Sequence, residues 1–289
     1  MAVIRGVIFD LGHTLMYLDG DWEEIEAQGV ADMREFLVEQ GLALDPATFG
    51  QAFLARRQEG YARAMKTRTE VLATGTLRAT LAAFDYPNVD DKLIEEAVRR
   101  YFWLEEQRYV AYPDALDMLR QLSDMGYRLG MISNATDDPL VQRLVDRLGF
   151  RSWLRPALSS AGVNIRKPDP RIFQMVLDEW GLSPEQAVMV GDTPEADILG
   201  AKLTGMRSVL VTMRESNRSA DCPDVQPDAQ VDSLSLLPRI ITALGNQVPG
   251  TCTESAGHLN APSPPTLDLR EIGIDGKIAT EINTTGLPR

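Results

Sequence analysis

The stretch "VIRGVIFDLGHTLM", residues 3–16, decides how the chain is read. Its first half is a short apolar run with almost no alternation. That is the pattern of a strand buried on both faces, as the central strands of parallel sheets are. The run stops at Asp10, and the turn that follows carries Gly12 and His13.

Downstream, the apolar residues Trp22, Ile25, Val30, Met33 and Leu37 recur at roughly helical intervals, and Gly41 closes the run as a C-cap would. The same rhythm returns over residues 47–66 and 69–83, and again at Leu93, Ile94, Ala97, Val98, Tyr101 and Leu104. Nothing between residues 20 and 110 alternates like a strand, so the spacing predicts a block of four or more helices.

After Pro113 the rhythm changes. Helices over residues 115–126, 139–148, 170–180 and 195–204 are interleaved with the apolar segments "YRLGMISN", "RPALSS", "AVMVGD" and "RSVLVTM". A strand at "AQV" and a helix over "SLLPRIITAL" finish the pattern. Strands alternating with helices predict an α/β fold, a Rossmann-like parallel sheet with helices on both faces. The helical block then reads as an insertion after the first strand. The expected division is a core of residues 1–16 and 112–245, a helical unit over 17–111, and a tail over 246–289. The tail is rich in Pro, Gly, Ser and Thr and is expected to be disordered, with "IGIDGKIA" its one candidate hairpin.

Among 289 residues, 29 Lys and Arg stand against 42 Asp and Glu, a formal charge of -13. That field repels nucleic acid and anionic membrane surfaces, and neither is an expected partner. A small anionic substrate is compatible with it only through a local site of metal, lysine and backbone N–H groups. Cys222 and Cys252 are the only cysteines, so no disulfide framework or zinc cluster is expected. The N-terminal apolar run is too short for a signal peptide, and no stretch reaches the ~18 apolar residues of a membrane span. A cytoplasmic location is therefore the expectation, and the sequons at Asn217 and Asn283 read as coincidental.

Four polar clusters fall at or just after predicted strand ends: Asp10; Ser133 with Asn134; Lys167; and Asp192 with Asp197. Each alone has an ordinary explanation as a cap, a turn residue or a solvated lysine. Together they converge, because in a parallel sheet all of these ends lie on one edge, where open α/β sheets bind ligands. Carboxylates, a cation and a hydroxyl point to phosphoryl transfer. Asp10 and Asp192 offer hard oxygen ligands for Mg²⁺. Ser133 and Lys167 are suited to hold oxygens that gain charge, and Asp10 to attack as a carboxylate nucleophile.

The motifs "FDLGHTL", "MISN", "KPDPRIF" and "VGDTPEADILGA", in that order and at those separations, resemble those of the haloacid dehalogenase-like hydrolase superfamily. The resemblance covers nearly all of residues 3–245. It implies that Asp10 becomes an aspartyl phosphate, that Asp192 holds Mg²⁺ with Asp197 in support, and that Gly12 contributes a backbone carbonyl to the metal. It further implies that Ser133 and the amide of Asn134 bind phosphoryl oxygens, that Lys167 neutralises the transferring group, and that the inserted helices are a cap choosing a small phosphorylated substrate.

One position departs from the family pattern. The family's second Asp of the first motif moves the proton of the leaving group, and Gly12 has no side chain for that task. A slower phosphatase is the expectation, since general acid–base help is worth ~10² to 10⁴ in rate. His13, with an imidazole that titrates near ~6.5, is a candidate substitute, although the plainer reading makes it a turn residue. The aromatic residue of the dehalogenases is absent from this position, and the cap lysines Lys66 and Lys92 are not in a context that marks a phosphonatase. The rival expectation is a catalytically impaired member that binds a phosphorylated ligand or a protein partner.

Overall fold

The computed structural model describes residues 3–213 and 225–246. Strand β1 (Gly6–Phe9) turns into β2 (Met16–Leu18), and then come four helices: α1 (Trp22–Glu39), α2 (Pro46–Thr67), α3 (Ala73–Ala82) and α4 (Asp91–Arg108). After β3 (Tyr109–Ala111) follow α5 (Ala115–Asp124), β4 (Arg128–Ser133), α6 (Asp138–Arg147), β5 (Ala157–Ser159), a single turn α7 (Ser160–Val163) and α8 (Pro170–Trp180). The remaining elements are β6 (Ala187–Gly191), α9 (Leu199–Thr204), β7 (Arg207–Val211), β8 (Ala229–Val231) and α10 (Leu237–Asn246).

Six strands form one sheet in the order β5-β4-β1-β6-β7-β8, with every pairing parallel. β1 lies near its centre, between β4 and β6, which explains its unbroken apolar run. Val7 and Phe9 join the core on one face with Met131 and Val190, while Ile8 joins the core on the other face with Ile132 and Met189. Successive side chains point to opposite faces, and both faces are dry. The indole of Trp180, at the end of α8, packs so closely on β1 and β4 that a Cβ on Gly6 or Gly130 would approach it to 2.6 or 2.7 Å.

The helical insertion starts each of its longer helices with a side-chain cap. Asp21 accepts from Glu24 N and Asp45 from Thr48 N, each at 3.0 Å, and Asp90 accepts from Lys92 N at 3.0 Å. The insertion is joined to the core through a two-stranded antiparallel ribbon in which Met16 pairs with Ala111 and Leu18 with Tyr109. Strands of three residues are too short to show a period, so the sequence pattern carries no sign of them.

Two further elements differ from the sequence expectation. α3 begins at Ala73 rather than near 69, because Arg68 adopts a left-handed conformation (φ 56°) that ends α2. The connecting segment turns Glu70 inward, where Oε2 accepts from Arg166 Nη1 at 2.7 Å and from Ser160 Oγ at 2.5 Å. This buried pair ties the insertion to the core. The expected helix over 195–204 opens instead with a π-helical turn, Pro194–Ile198, before α9. Among the described residues no helix is long and apolar enough to cross a membrane. The expected disorder and hairpin of the tail, both cysteines and both sequons lie outside the described residues.

Candidate active site

Asp10 follows β1 directly, and its N–H donates to Val190 O at 2.9 Å, so the central sheet itself fixes its backbone. Ser133 is the last residue of β4, and Asp192 follows the last residue of β6. These three strands are neighbours, and their C-terminal ends bring the three side chains to one place. Lys167 reaches the same place from the segment before α8. Its Nζ lies 2.6 Å from Asp10 Oδ1, 2.7 Å from Asp197 Oδ1 and 2.7 Å from the Ile132 carbonyl. Asn134 pins the lysine backbone from both sides: Lys167 N donates to Asn134 Oδ1 at 2.9 Å, and Asn134 Nδ2 donates to Lys167 O at 3.1 Å.

Asp197 sits on the π-helical turn, fully buried, and accepts from Thr193 N at 2.9 Å through Oδ2. The carboxylate packs so tightly on Gly191 that no Cβ would fit there, and this close approach requires glycine at the end of β6. Ligand-oxygen atoms of Asp10, Asp192 and Asp197 all lie within 4.8 Å of one another. Three carboxylates thus face a single ammonium. Burial, and then the proximity of Asp10, pushes the Asp192 carboxyl up. Burial also pushes Asp197 up, against the opposing pull of Lys167. Burial alone would lower the Lys167 ammonium, but Asp10 and Asp197 outweigh it and hold it above its ordinary range. An excess of buried negative charge on hard oxygen donors is the chemistry that a small divalent cation relieves, so the residue set fits Mg²⁺.

All of the residues singled out from the sequence border one cavity of about 400 Å³: Asp10, Gly12, His13, Ser133, Asn134, Lys167, Asp192 and Asp197. At Gly12 an added Cβ would meet open space, and the backbone there lies outside the left-handed region, so nothing local demands a glycine. His13 is left-handed (φ 56°), and its N–H donates to Met16 O at 2.6 Å, closing the turn. The far wall of the cavity comes from residues that the sequence pattern does not mark: Tyr61 and Met65 of α2, Tyr109 of β3, and Arg166. A second cavity of about 250 Å³ shares Gly12, Tyr61, Tyr109, Ser133, Asn134 and Arg166 with the first and continues between α6 and the insertion. Tyrosines in a helical block look like ordinary packing residues. Arg166 has one sequence signal, its place beside Lys167.

The family model described as haloacid dehalogenase-like hydrolase matches residues 4–205. The chain belongs to this family. A phosphoserine phosphatase of Thermus thermophilus is 37% identical over 133 residues, which are 46% of this chain and 52% of that protein. The chain therefore spans about half the length of that relative. A ribulose-1,5-bisphosphate 5-phosphatase of Halopiger xanaduensis is 28% identical over 250 residues, covering 82% of this chain and 98% of that one. Among solved structures, a 2-haloacid dehalogenase of Pseudomonas syringae pv. Tomato superposes with a TM-score of 0.63 at 26% identity, over 83% of this chain and 99% of its own.

Proposed function

We propose that this hydrolase is a Mg²⁺-dependent phosphatase of small phosphorylated metabolites, working through an aspartyl phosphate on Asp10, with residues 17–111 as its cap. The observation that carries the reading is the cluster of three carboxylates and one lysine on the sheet edge. Relatives named as phosphatases support it. The Lys167 ammonium, 2.6 Å from Asp10 Oδ1, offsets the charge of the carboxylate nucleophile and orients it in the buried site. Ser133 and the backbone amide of Asn134, on the same cavity wall, receive the phosphoryl oxygens as charge builds on them. Asp10, Asp192 and the Gly12 carbonyl, with Asp197 in support, would hold Mg²⁺, whose positive charge supplies further stabilisation of the transferring group. The cavity of about 400 Å³ has room for a small phosphate monoester.

Phosphate release from a panel of esters, with and without Mg²⁺, tests the reading. Asp10→Asn and Asp192→Asn are each expected to lower turnover of p-nitrophenyl phosphate by on the order of 10³ or more. Full activity of Asp10→Asn sinks the mechanism. Halide release from 2-chloropropionate without phosphate release from any ester replaces the reading with that of the dehalogenase relatives. Gly12 favours a second reading, a ligand binder without turnover, and saturable ester binding with no product formed is its signature.

A further inference from the structure

An alcohol of ordinary acidity leaves phosphorus slowly unless a proton reaches its oxygen as the bond breaks. On the sheet edge the two groups nearest that task are not available for it: Gly12 has no side chain, and Lys167 is committed to Asp10, Asp197 and the Ile132 carbonyl. The opposite wall is different. Tyr109 borders both the phosphate-side cavity and the inner cavity, and its hydroxyl donates to the Glu105 carboxylate through Oε1 at 3.2 Å, a bond that reverses when Glu105 carries the proton. Glu105, near the end of α4, borders the inner cavity beside Gly12 and is itself 8% exposed.

The charges around Glu105 explain what a carboxyl is doing there. Arg57 of α2 and Glu26 of α1 form an ion pair with each other, and Tyr101 of α4 donates to Glu26 Oε1 at 3.3 Å. Asp137, the N-cap of α6, faces the same group and adds a further negative charge. One guanidinium thus faces three carboxyls, and a proton on Glu105 relieves part of the excess negative charge. Burial, opposed by Arg57, raises the Glu105 carboxyl to about 7, so that it gains and loses this proton near neutrality.

We infer that Tyr109, backed by Glu105 as a positioning and proton-holding residue, passes the proton to the departing alcohol, and that the substrates are phosphate monoesters of unactivated alcohols. The inference rests on the phosphatase reading. In the first step an Asp10 oxygen bonds to phosphorus and the ester P–O bond breaks, its electron pair staying on the alcohol oxygen. That oxygen takes the Tyr109 phenol proton while the phenol oxygen takes the proton of Glu105, which is left as a carboxylate. In the second step a water oxygen bonds to phosphorus and the bond to Asp10 breaks. The water gives a proton to the Tyr109 oxygen as the phenol proton returns to Glu105, and both groups regain their starting forms.

The test compares phosphate release from glycerol 2-phosphate, an alkyl ester, with release from p-nitrophenyl phosphate, whose leaving group needs no proton. Wild type, Glu105→Gln, Tyr109→Phe and His13→Ala, with Glu105→Gln and Tyr109→Phe also combined with Gly12→Asp, are measured from about pH 5 to about pH 9. The alkyl-to-aryl ratio is expected to fall by ~10² in Glu105→Gln and in Tyr109→Phe, and Gly12→Asp to restore it to within ~10-fold, by placing a carboxyl where the family has one. In wild type the alkyl rate declines above about pH 7, and in Glu105→Gln that limb is absent. An unchanged ratio overturns the inference alone. So does a fall that Gly12→Asp does not reverse, which marks a purely structural role, or a fall confined to His13→Ala. Wild type that releases phosphate from neither ester overturns the phosphatase reading together with it.

Discussion

Gly12, Lys167 and Glu105 are the residues at which chemistry and folding can be separated by single substitutions. Because a Cβ at Gly12 meets open space, Gly12→Ala should leave the thermal midpoint nearly unchanged, within the ~0.5 kcal/mol typical of sites without packing contacts. Calorimetry checks this independently of any activity. Lys167 is the opposite case. Lys167→Met leaves Asp10 and Asp197 buried without their cation, and breaking such a pair typically costs about 3–5 kcal/mol. Urea unfolding should show that loss, and added Mg²⁺ should recover part of it. Glu105 predicts a pH dependence. Its folded-state pKa of about 7 lies above the ordinary carboxyl value of 4.5, so folding binds a proton between those values. Stability therefore falls as pH rises through that window and is level above it, and Glu105→Gln flattens the slope. Unfolding curves across the window decide the point. The places of Asp10 and Asp192 at the sheet edge were legible from the sequence because each follows an apolar strand directly. Those of Tyr109 and Glu105 were not, since nothing in a helical period distinguishes a buried acid from a surface one.

At the scale of elements, the parallel sheet was legible because burial on both faces leaves an unmistakable apolar run in β1 and β6. The ribbon of β2 and β3 was not, since each strand has three residues. Neither was the π-helical turn at Pro194–Ile198, which depends on Asp197 folding back toward Lys167 and Gly191. The contact of Trp180 with Gly6 and Gly130 gives an element-level prediction. Gly130→Ala should destabilise by about 1–3 kcal/mol, the usual cost of overpacking, and Trp180→Leu should relieve most of it. A double-mutant cycle read by chemical denaturation measures that coupling, and additive effects would contradict it. The connection between α2 and α3 makes the same point about long-range partners. Glu70 lies 96 positions from Arg166, so their pairing became visible only when both were placed in space.

For the whole molecule, the formal charge of -13 bears on how the site must work. The global field disfavours an anionic substrate, so local positive charge has to overcome it. Mg²⁺ should accordingly raise the unfolding temperature, by the equivalent of about 2.7 kcal/mol at a hundred times its Kd, and a chelator should reverse the shift. The shift should shrink as pH falls, because burial and mutual repulsion make Asp192 and Asp197 hold protons more readily than free carboxyls do. A shift of equal size in Asp192→Asn would show that the metal binds elsewhere. The alternation of strands and helices in the core, the delivery of Asp10, Ser133 and Asp192 to one edge, and the lack of a side chain at Gly12 follow from the sequence alone. They depend on local periodicity and on a topological rule that places the ends of parallel strands together. The tertiary structure decided what faces that edge: Tyr109, Glu105, Arg166 and the buried pair that seats the insertion. Those contacts join residues far apart in the chain, and their energies come from desolvation and charge balance, which no local pattern of residue types records.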